Sequence, residues 1–234
     1  AVIMNSELKK TVIIGSGNLA EALARAVAKS ELELVQIFAR NAERARIVAE
    51  LAATGWETRP EMLRKDADIY LIAVSDRAVA EVAATLPIPE EAAVAHTAGS
   101  VPVTAIPERF ARRAVFYPMQ TFTRGREADF SVIPAPSPEL RPELEAFARK
   151  LSGTVIWADS AQRCKVHLAA VFACNFANHM YAVGERIVRG AGLDFDVLKP
   201  LIAETAAKAC DARSPLDVQT GPAVRNDFAT KARH

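Results

Sequence analysis

Apolar residues along the chain fall into short runs that alternate with longer, alanine-rich segments. The short runs predict strands, and the longer segments have the composition of helices. The run at 68–74 is almost wholly apolar, as expected of a parallel strand that is covered on both faces. Predicted strands lie at 10–14, 33–40, 68–74, 92–96, 114–117, 130–134 and 154–157, and predicted helices at 18–29, 42–53, 77–86 and 138–151. This alternation predicts an α/β fold with a Rossmann-type, mostly parallel sheet.

The pattern changes near Asp159, where strands give way to helices. The stretch 161–189 contains no proline and predicts one long helix, and 194–211 predicts a second. We therefore expect a dinucleotide-binding domain at 1–158 and a smaller, all-helical domain at 159–234. A helical domain of that size is marginal by itself, so it must pack on the first domain, on a second subunit, or on both.

A glycine turn joins the first predicted strand to the first predicted helix. Gly15 allows a tight turn, Gly17 removes the side chain that would keep a diphosphate from the backbone, and Ala20 lets the helix pack closely. The helix N-terminus adds free N–H groups and the positive end of its dipole. The turn predicts a dinucleotide site formed by Gly15, Ser16, Gly17, Asn18 and Leu19. A turn that binds nothing is the alternative.

The end of the second predicted strand indicates which dinucleotide is preferred. NAD-binding domains place an Asp or Glu there to hold the ribose 2′-hydroxyl. This chain has Phe38-Ala39-Arg40-Asn41 instead, with Arg44 one helical turn later. Arg40 can form two parallel hydrogen bonds with a 2′-phosphate, and Arg44 can add charge, so NADP is favoured over NAD. A solvated arginine on a loop is the alternative for Arg40.

Polar residues follow two further strands at the edge where ligands of open parallel sheets bind. Ser75 and Asp76 follow the strand at 68–74, and Thr97 and Ser100 lie in the small turn after the strand at 92–96. Both segments are expected at the nicotinamide end of the cofactor. Helix capping by Asp76 and ordinary turn chemistry at the other positions are the alternatives.

The long helix predicted from Ala161 carries polar residues on an otherwise apolar face. His167 shares a stripe with Val171, Cys174 and Asn178, and Asn175 lies to one side. A reductase needs a group that donates a proton as hydride arrives, which His167 can do while an asparagine orients the substrate. The alternative is a buried histidine satisfied by a backbone carbonyl, with asparagines that join helices.

Composition and charge exclude several other classes of function. The net charge is +1, so no global field draws the chain to nucleic acid or to an anionic membrane. Apolar runs are far shorter than the roughly 20 residues that span a bilayer, and no secretory signal begins the chain. Three scattered cysteines without metal-ligand spacing predict small buried residues in a reducing compartment and no metal site. These features predict a cytoplasmic protein.

Taken together, these segments resemble a bacterial family that joins a Rossmann-like, NADP-oxidoreductase-type domain to a helical C-terminal domain of unknown function. Relatives of this family include pyrroline-5-carboxylate reductase, ketopantoate reductase and 6-phosphogluconate dehydrogenase. The matching segments are 15–20, 73–76, 96–100, 118–122, 167–171 with Asn175, and 220–222 with Arg225 and Asp227.

The resemblance implies NADP as cofactor, a substrate cleft at the helical domain, and a homodimer built through the helices. It also implies cofactor contacts from Val74, Ser75 and Thr97 and catalytic roles for His167, Asn175 and Ser100. Many relatives have histidine where this chain has Tyr117, so that position is not expected to carry a proton. Relatives are also expected to continue through another helix beyond the position of His234.

These features favour an NADP-dependent oxidoreductase that transfers hydride between nicotinamide and a small polar carbonyl, imine or hydroxy acid. A non-catalytic NADP-binding sensor or regulatory module has the same turn and the same Arg40 but needs no proton donor. A Rossmann-like methyltransferase is a weaker third hypothesis, because such folds usually place an acid where this chain has Arg40.

Overall fold

A computed structural model describes residues 7–221, and its main feature is a seven-stranded sheet. The strand order is β3-β2-β1-β4-β5-β6-β7, and every pairing is parallel except that of β6 with β7. The strands are β1 Lys10–Ile14, β2 Glu33–Phe38, β3 Trp56–Glu57, β4 Ile69–Ile72, β5 Ala93–His96, β6 Arg113–Met119 and β7 Ser131–Pro136. The predicted α/β fold with a Rossmann-type, mostly parallel sheet is confirmed.

Seven α-helices occur within the described residues. They are α1 Asn18–Lys29, α2 Ala42–Leu51, α3 Val79–Thr85, α4 Arg141–Leu151, α5 Ser160–Ala170, α6 Ala177–Gly190 and α7 Lys199–Asp211. The single long helix predicted at 161–189 is interrupted by a π-helical turn at Val171–Phe176. The strand predicted at 154–157 is wrong, because Val155 makes only an isolated bridge to Val132.

Residues on the two faces of the sheet pack into two separate apolar clusters. On β1, Ile13 belongs to one cluster, whereas Val12 and Ile14 belong to the other. On β4, Leu71 and Ile72 divide in the same way. Helices cover both faces, so every position of these strands after Lys10 is buried, which explains why the apolar runs do not alternate with polar residues.

The chain divides into two compact units after Val171. The first unit contains the sheet and α1 to α5, so α5 belongs to it although the sequence pattern changes at the start of that helix. The described part of the second unit, 172–221, consists of helices and short turns and contains no fully buried side chain. The prediction of buried cysteines is wrong, since Cys164 and Cys210 are exposed and Cys174 is half-buried. In the region 7–221, no helix is both long and apolar enough to cross a membrane.

Candidate functional site

The predicted glycine turn forms at the end of β1 as an open N-terminus of α1. Gly15 has a φ of +129°, and a Cβ there would lie 2.1 Å from the Ala73 carbonyl oxygen, so only glycine fits. Gly17 is the N-cap of α1 with extended backbone, and no side chain caps the helix. A Cβ at Gly17 would meet nothing within 4 Å. The first N–H groups of α1 are therefore uncapped beside open space.

A cavity of about 1170 Å³ opens at this turn. It lies where the carboxyl ends of β1, β2 and β4 meet, which is the point at which the strand order reverses and where such sheets bind ligands. Its lining includes all the predicted cofactor-binding residues except Thr97, namely Gly15, Ser16, Gly17, Asn18, Leu19, Arg40, Val74 and Ser75. Its size and its uncapped amides fit a dinucleotide.

Arg40, which precedes α2, and Arg44, in the first turn of α2, have different surroundings. Arg40 is exposed, lines the cavity, and forms no ion pair within residues 7–221. Arg44, by contrast, donates from Nη2 to Glu21 Oε2 at 2.9 Å and from Nε to the Ser16 carbonyl oxygen at 3.2 Å. Arg44 therefore supports the glycine turn and does not add the free charge that the sequence suggested.

Glu21 is a buried carboxylate on α1 that organises this region, although no local sequence pattern indicates it. It accepts hydrogen bonds from Arg44, from Arg25 and from the Gly125 N–H at 2.9 Å. Burial alone would raise its pKa, but these hydrogen bonds outweigh that effect and lower it. Asn18 Nδ2 also donates to the Phe122 carbonyl oxygen at 3.1 Å. The segment 122–125 is thus tied to the beginning of α1.

A second group of polar residues lies at the carboxyl ends of β5 and β6. The Tyr117 hydroxyl oxygen lies 3.0 Å from His167 Nδ1. Burial, and then the charge of Asp76, raises the pKa of Tyr117, so the phenol stays protonated. Gly99 is packed directly against this pair. A Cβ at Gly99 would lie 2.7 Å from His167 Nδ1 and 2.8 Å from Tyr117 Cζ.

The loop that contains Gly99 is fixed from both sides. Ser100 Oγ donates to Asp76 Oδ2 at 2.7 Å, so Asp76 bonds this loop and does not make the helix-capping bond suggested by the sequence. Arg163 on α5 is fully buried and donates to the carbonyl oxygens of Gly99 at 3.2 Å and Val101 at 3.1 Å. His167 lies one turn further along α5, so the Arg163 contacts set its distance from the loop.

His96 and Thr97 stabilise the turn after β5 through hydrogen bonds. His96 is buried, accepts from the Ala98 N–H at 3.2 Å through Nδ1, and donates from Nε2 to the Pro102 carbonyl oxygen at 3.2 Å. Burial lowers the pKa of His96 to about 4, so the ring is neutral at neutral pH. Thr97 is buried and its hydroxyl donates to the Ile72 carbonyl oxygen. These contacts connect the turn to the sheet.

Asn175 belongs to the second unit, where it is exposed in the π-helical turn. Arg225 and Asp227, which contribute to the family resemblance, lie outside the described residues. The structure places His167 on α5 beside the loop that contains Ser100. It adds Gly99 and Arg163, which were not predicted as site residues, and Tyr117, which was not expected to carry a proton.

Sequence and structure comparisons relate this chain to known proteins. Residues 10–98 match a family model described as NADP oxidoreductase, coenzyme F420-dependent, and residues 130–234 match a domain of unknown function, DUF2520. The protein BF3122 of Bacteroides fragilis, provisionally described as an NADP oxidoreductase, is 39% identical, with 97% of this chain and 89% of that chain covered and a TM-score of 0.86. This chain belongs to the NADP oxidoreductase family that carries a DUF2520 domain. The family resemblance drawn from the sequence is confirmed.

Two more distant structures share the fold of this NADP oxidoreductase family member. Protein TM1727 of Thermotoga maritima is 23% identical, with 94% of this chain and 85% of that chain covered and a TM-score of 0.68. A pyrroline-5-carboxylate reductase from Coxiella burnetii is 15% identical, with 97% and 90% covered and a TM-score of 0.63. A search of curated proteins returned no match.

Proposed function

We propose that this chain is an NADP-dependent reductase or dehydrogenase that acts on a small polar carbonyl, imine or hydroxy acid. One observation carries the proposal: the uncapped N-terminus of α1, with open space at Gly17, lies in the same cavity as the unpaired Arg40. The amides suit a diphosphate, and the guanidinium suits a 2′-phosphate. After Phe38, the last residue of β2, the chain continues as Ala39-Arg40, so no carboxylate stands there to hold an unphosphorylated ribose.

The polar residues at the carboxyl ends of β5 and β6, together with His167 of α5, suggest the chemistry that we assign to the site. A bound NADPH would supply hydride to the carbon of a C=O or C=N bond. The His167 ring N–H would donate a hydrogen bond to the oxygen or nitrogen of that bond and stabilise the negative charge that develops there, and solvent would supply the proton that completes the reduction. Ser100 is assigned to substrate orientation by hydrogen bonding.

An assay of turnover tests this function. NADPH consumption is followed with a panel of small oxo acids and cyclic imines that includes 1-pyrroline-5-carboxylate, the compound for which the Coxiella relative is named. We expect turnover with at least one of these compounds and a loss of about 100-fold or more in His167→Asn. His179→Asn, which changes an exposed histidine of the second unit, is the control. Tight NADPH binding without any turnover would support the sensor hypothesis instead.

We further propose that the second unit forms a homodimer. Its described residues include no buried side chain, and large apolar residues are exposed along it, including Phe172, Phe176, Met180 and Ile187. A helical unit of this size cannot be stable with such a surface in water. A second copy of the chain presents the same apolar stripe and can cover it. Sedimentation should show a dimer, and Met180→Glu combined with Ile187→Glu should dissociate it; a wild-type monomer would contradict the proposal.

A further inference from the structure

Tyr117 and His167 form a pair whose hydrogen bond has a definite direction. Their polar atoms lie 3.0 Å apart, and within residues 7–221 neither atom makes another hydrogen bond. A phenol is the stronger donor and a neutral imidazole nitrogen the stronger acceptor, so the favoured arrangement is O–H donating to Nδ1. Burial keeps the phenol protonated. His167 then carries its hydrogen on Nε2.

The surroundings of the pair leave little room for any other arrangement. The Tyr117 ring is only 8% exposed and packs in an apolar cluster that includes Val166 of α5. The two rings meet edge to face with centroids 5.6 Å apart. Gly99 packs directly against the two rings, and a methyl group at this position would overlap both of them. Rotation of the imidazole away from Tyr117 would leave the half-buried Tyr117 hydroxyl without its protein partner.

Hydrogen bonds between α5 and the loop that contains Gly99 also fix the positions of Tyr117 and His167 relative to each other. Within residues 7–221 Arg163 has no carboxylate partner; its donors reach the carbonyl oxygens of Gly99 and Val101, on either side of Ser100. Its Nη1 is buried and has no hydrogen-bond partner in the same range, so this guanidinium fastens the loop through Nε and Nη2. Asp76, which accepts from Ser100, is the charged group that contributes to the raised pKa of Tyr117.

We infer that Tyr117 is the positioning residue of His167, which holds the imidazole in the tautomer with its hydrogen on Nε2 and thereby presents Nε2 as the donor to substrate. Tyr117 does not itself contact substrate in this scheme, and Gly99 is the position that allows the pair to close. The catalytic consequence rests on the proposed function, whereas the tautomer is a property of the protein alone.

The first test therefore needs neither cofactor nor substrate. Ring ¹⁵N resonances of ¹⁵N-histidine-labelled protein are recorded at roughly pH 8.5, where histidine side chains are neutral, and His167 is assigned by its loss in His167→Asn. Wild type should show an unprotonated, hydrogen-bonded Nδ1 and a protonated Nε2. Tyr117→Phe and Gly99→Ala should both move the two resonances towards the averaged values of an imidazole that exchanges between tautomers.

Matched controls separate this effect from general damage. Tyr70→Phe removes another buried tyrosine hydroxyl, one that donates to the Arg64 carbonyl oxygen at 2.7 Å. Gly55→Ala adds a methyl group that meets nothing within 4 Å. Both should leave the His167 resonances unchanged. A wild-type ring protonated on Nδ1, or resonances that Tyr117→Phe does not move, would overturn the inference.

The second test uses a substrate found in the turnover panel. Tyr117→Phe should lower kcat at least about tenfold, because the wrong tautomer presents an acceptor where a donor is needed, with no change in NADPH affinity. In the His167→Asn background, Tyr117→Phe should have no further effect on kcat. Equal losses in both backgrounds would mean a structural role only. If NADPH neither binds nor turns over, the proposed function fails while the resonance result stands by itself.

Discussion

Two alanine substitutions in the β1–α1 turn should act differently. Gly17→Ala should weaken cofactor binding and keep the fold, whereas Gly15→Ala should destabilise the fold. Gly17 has a φ of −76°, which alanine adopts freely, and its Cβ would meet nothing within 4 Å. Gly17→Ala should therefore leave the unliganded protein as stable as wild type or stabilise it by about 0.4–1 kcal/mol. The new methyl group would, however, stand where a diphosphate must approach the amides of α1.

The expected loss of affinity can be estimated from the hydrogen bonds at risk. A hydrogen bond from an amide to a charged phosphate oxygen contributes about 1.5–3 kcal/mol, and each 1.4 kcal/mol is a tenfold change in Kd. Displacement of the diphosphate from one such amide should weaken NADPH binding roughly 10- to 100-fold. Calorimetric titration measures this effect, and thermal unfolding of the same samples confirms that the fold is retained.

Gly15→Ala provides the contrast. Its φ of +129° and the 2.1 Å approach of a Cβ to the Ala73 carbonyl oxygen force the backbone to move, so we expect a loss of more than about 2 kcal/mol of stability. Gly55→Ala, with open space around it, is the neutral control. If Gly17→Ala binds NADPH as tightly as wild type does, no diphosphate contacts the amides of this turn.

Three further substitutions test separate parts of the structure. Arg40→Ala should weaken NADPH binding roughly 10-fold or more and leave NADH binding nearly unchanged, because only the 2′-phosphate is expected to contact this arginine; equal losses for both in calorimetry would argue against that contact. Burial lowers the pKa of His96 from its ordinary value of 6.5 to about 4, so about 3 kcal/mol of stability should be present above pH 6.5 and lost as the pH falls to 4. Urea unfolding across this range should show that slope in wild type and in His179→Gln but not in His96→Gln, and an unchanged slope in His96→Gln would exclude the assignment. Glu21→Gln should cost about 2 kcal/mol in urea unfolding because a buried hub for two arginines loses its charge, whereas Glu50→Gln, in an exposed pair with Arg46, should change stability by less than about 1 kcal/mol; equal effects would show that the Glu21 network is not specially stabilising.

Features of the site that depend on neighbouring residues were predictable from the sequence. The turn at Gly15 and Gly17 depends on a few consecutive residues between a buried strand and a helix, and its side-chain-free positions are visible in the sequence. The capping of α2 is local in the same way, since the Asn41 side chain just before the helix accepts from the Arg44 N–H. The π-helical turn at 171–176 has no comparable local signal, so one continuous helix was predicted there.

Features that depend on distant pairing were not predictable in the same way. His167 was identified as a polar residue on an apolar face, but its partner Tyr117 is fifty positions away, and periodicity cannot show what faces a helix. The same limit applies to Arg44, whose free charge was expected but is taken up by Glu21. The predicted strand at 154–157 has the right composition, yet only Val155 pairs, with Val132 of the edge strand β7, because local composition does not determine how far such a pairing extends.

A crystal structure of the protein with bound NADP tests the central claim most directly. We predict that the diphosphate lies against the N–H groups at the beginning of α1 beside Gly17, and that the 2′-phosphate lies within hydrogen-bond distance of the Arg40 guanidinium. A nucleotide bound elsewhere, or a cavity at Gly17 that stays empty at saturating NADP, would contradict the assignment of this turn as the cofactor site.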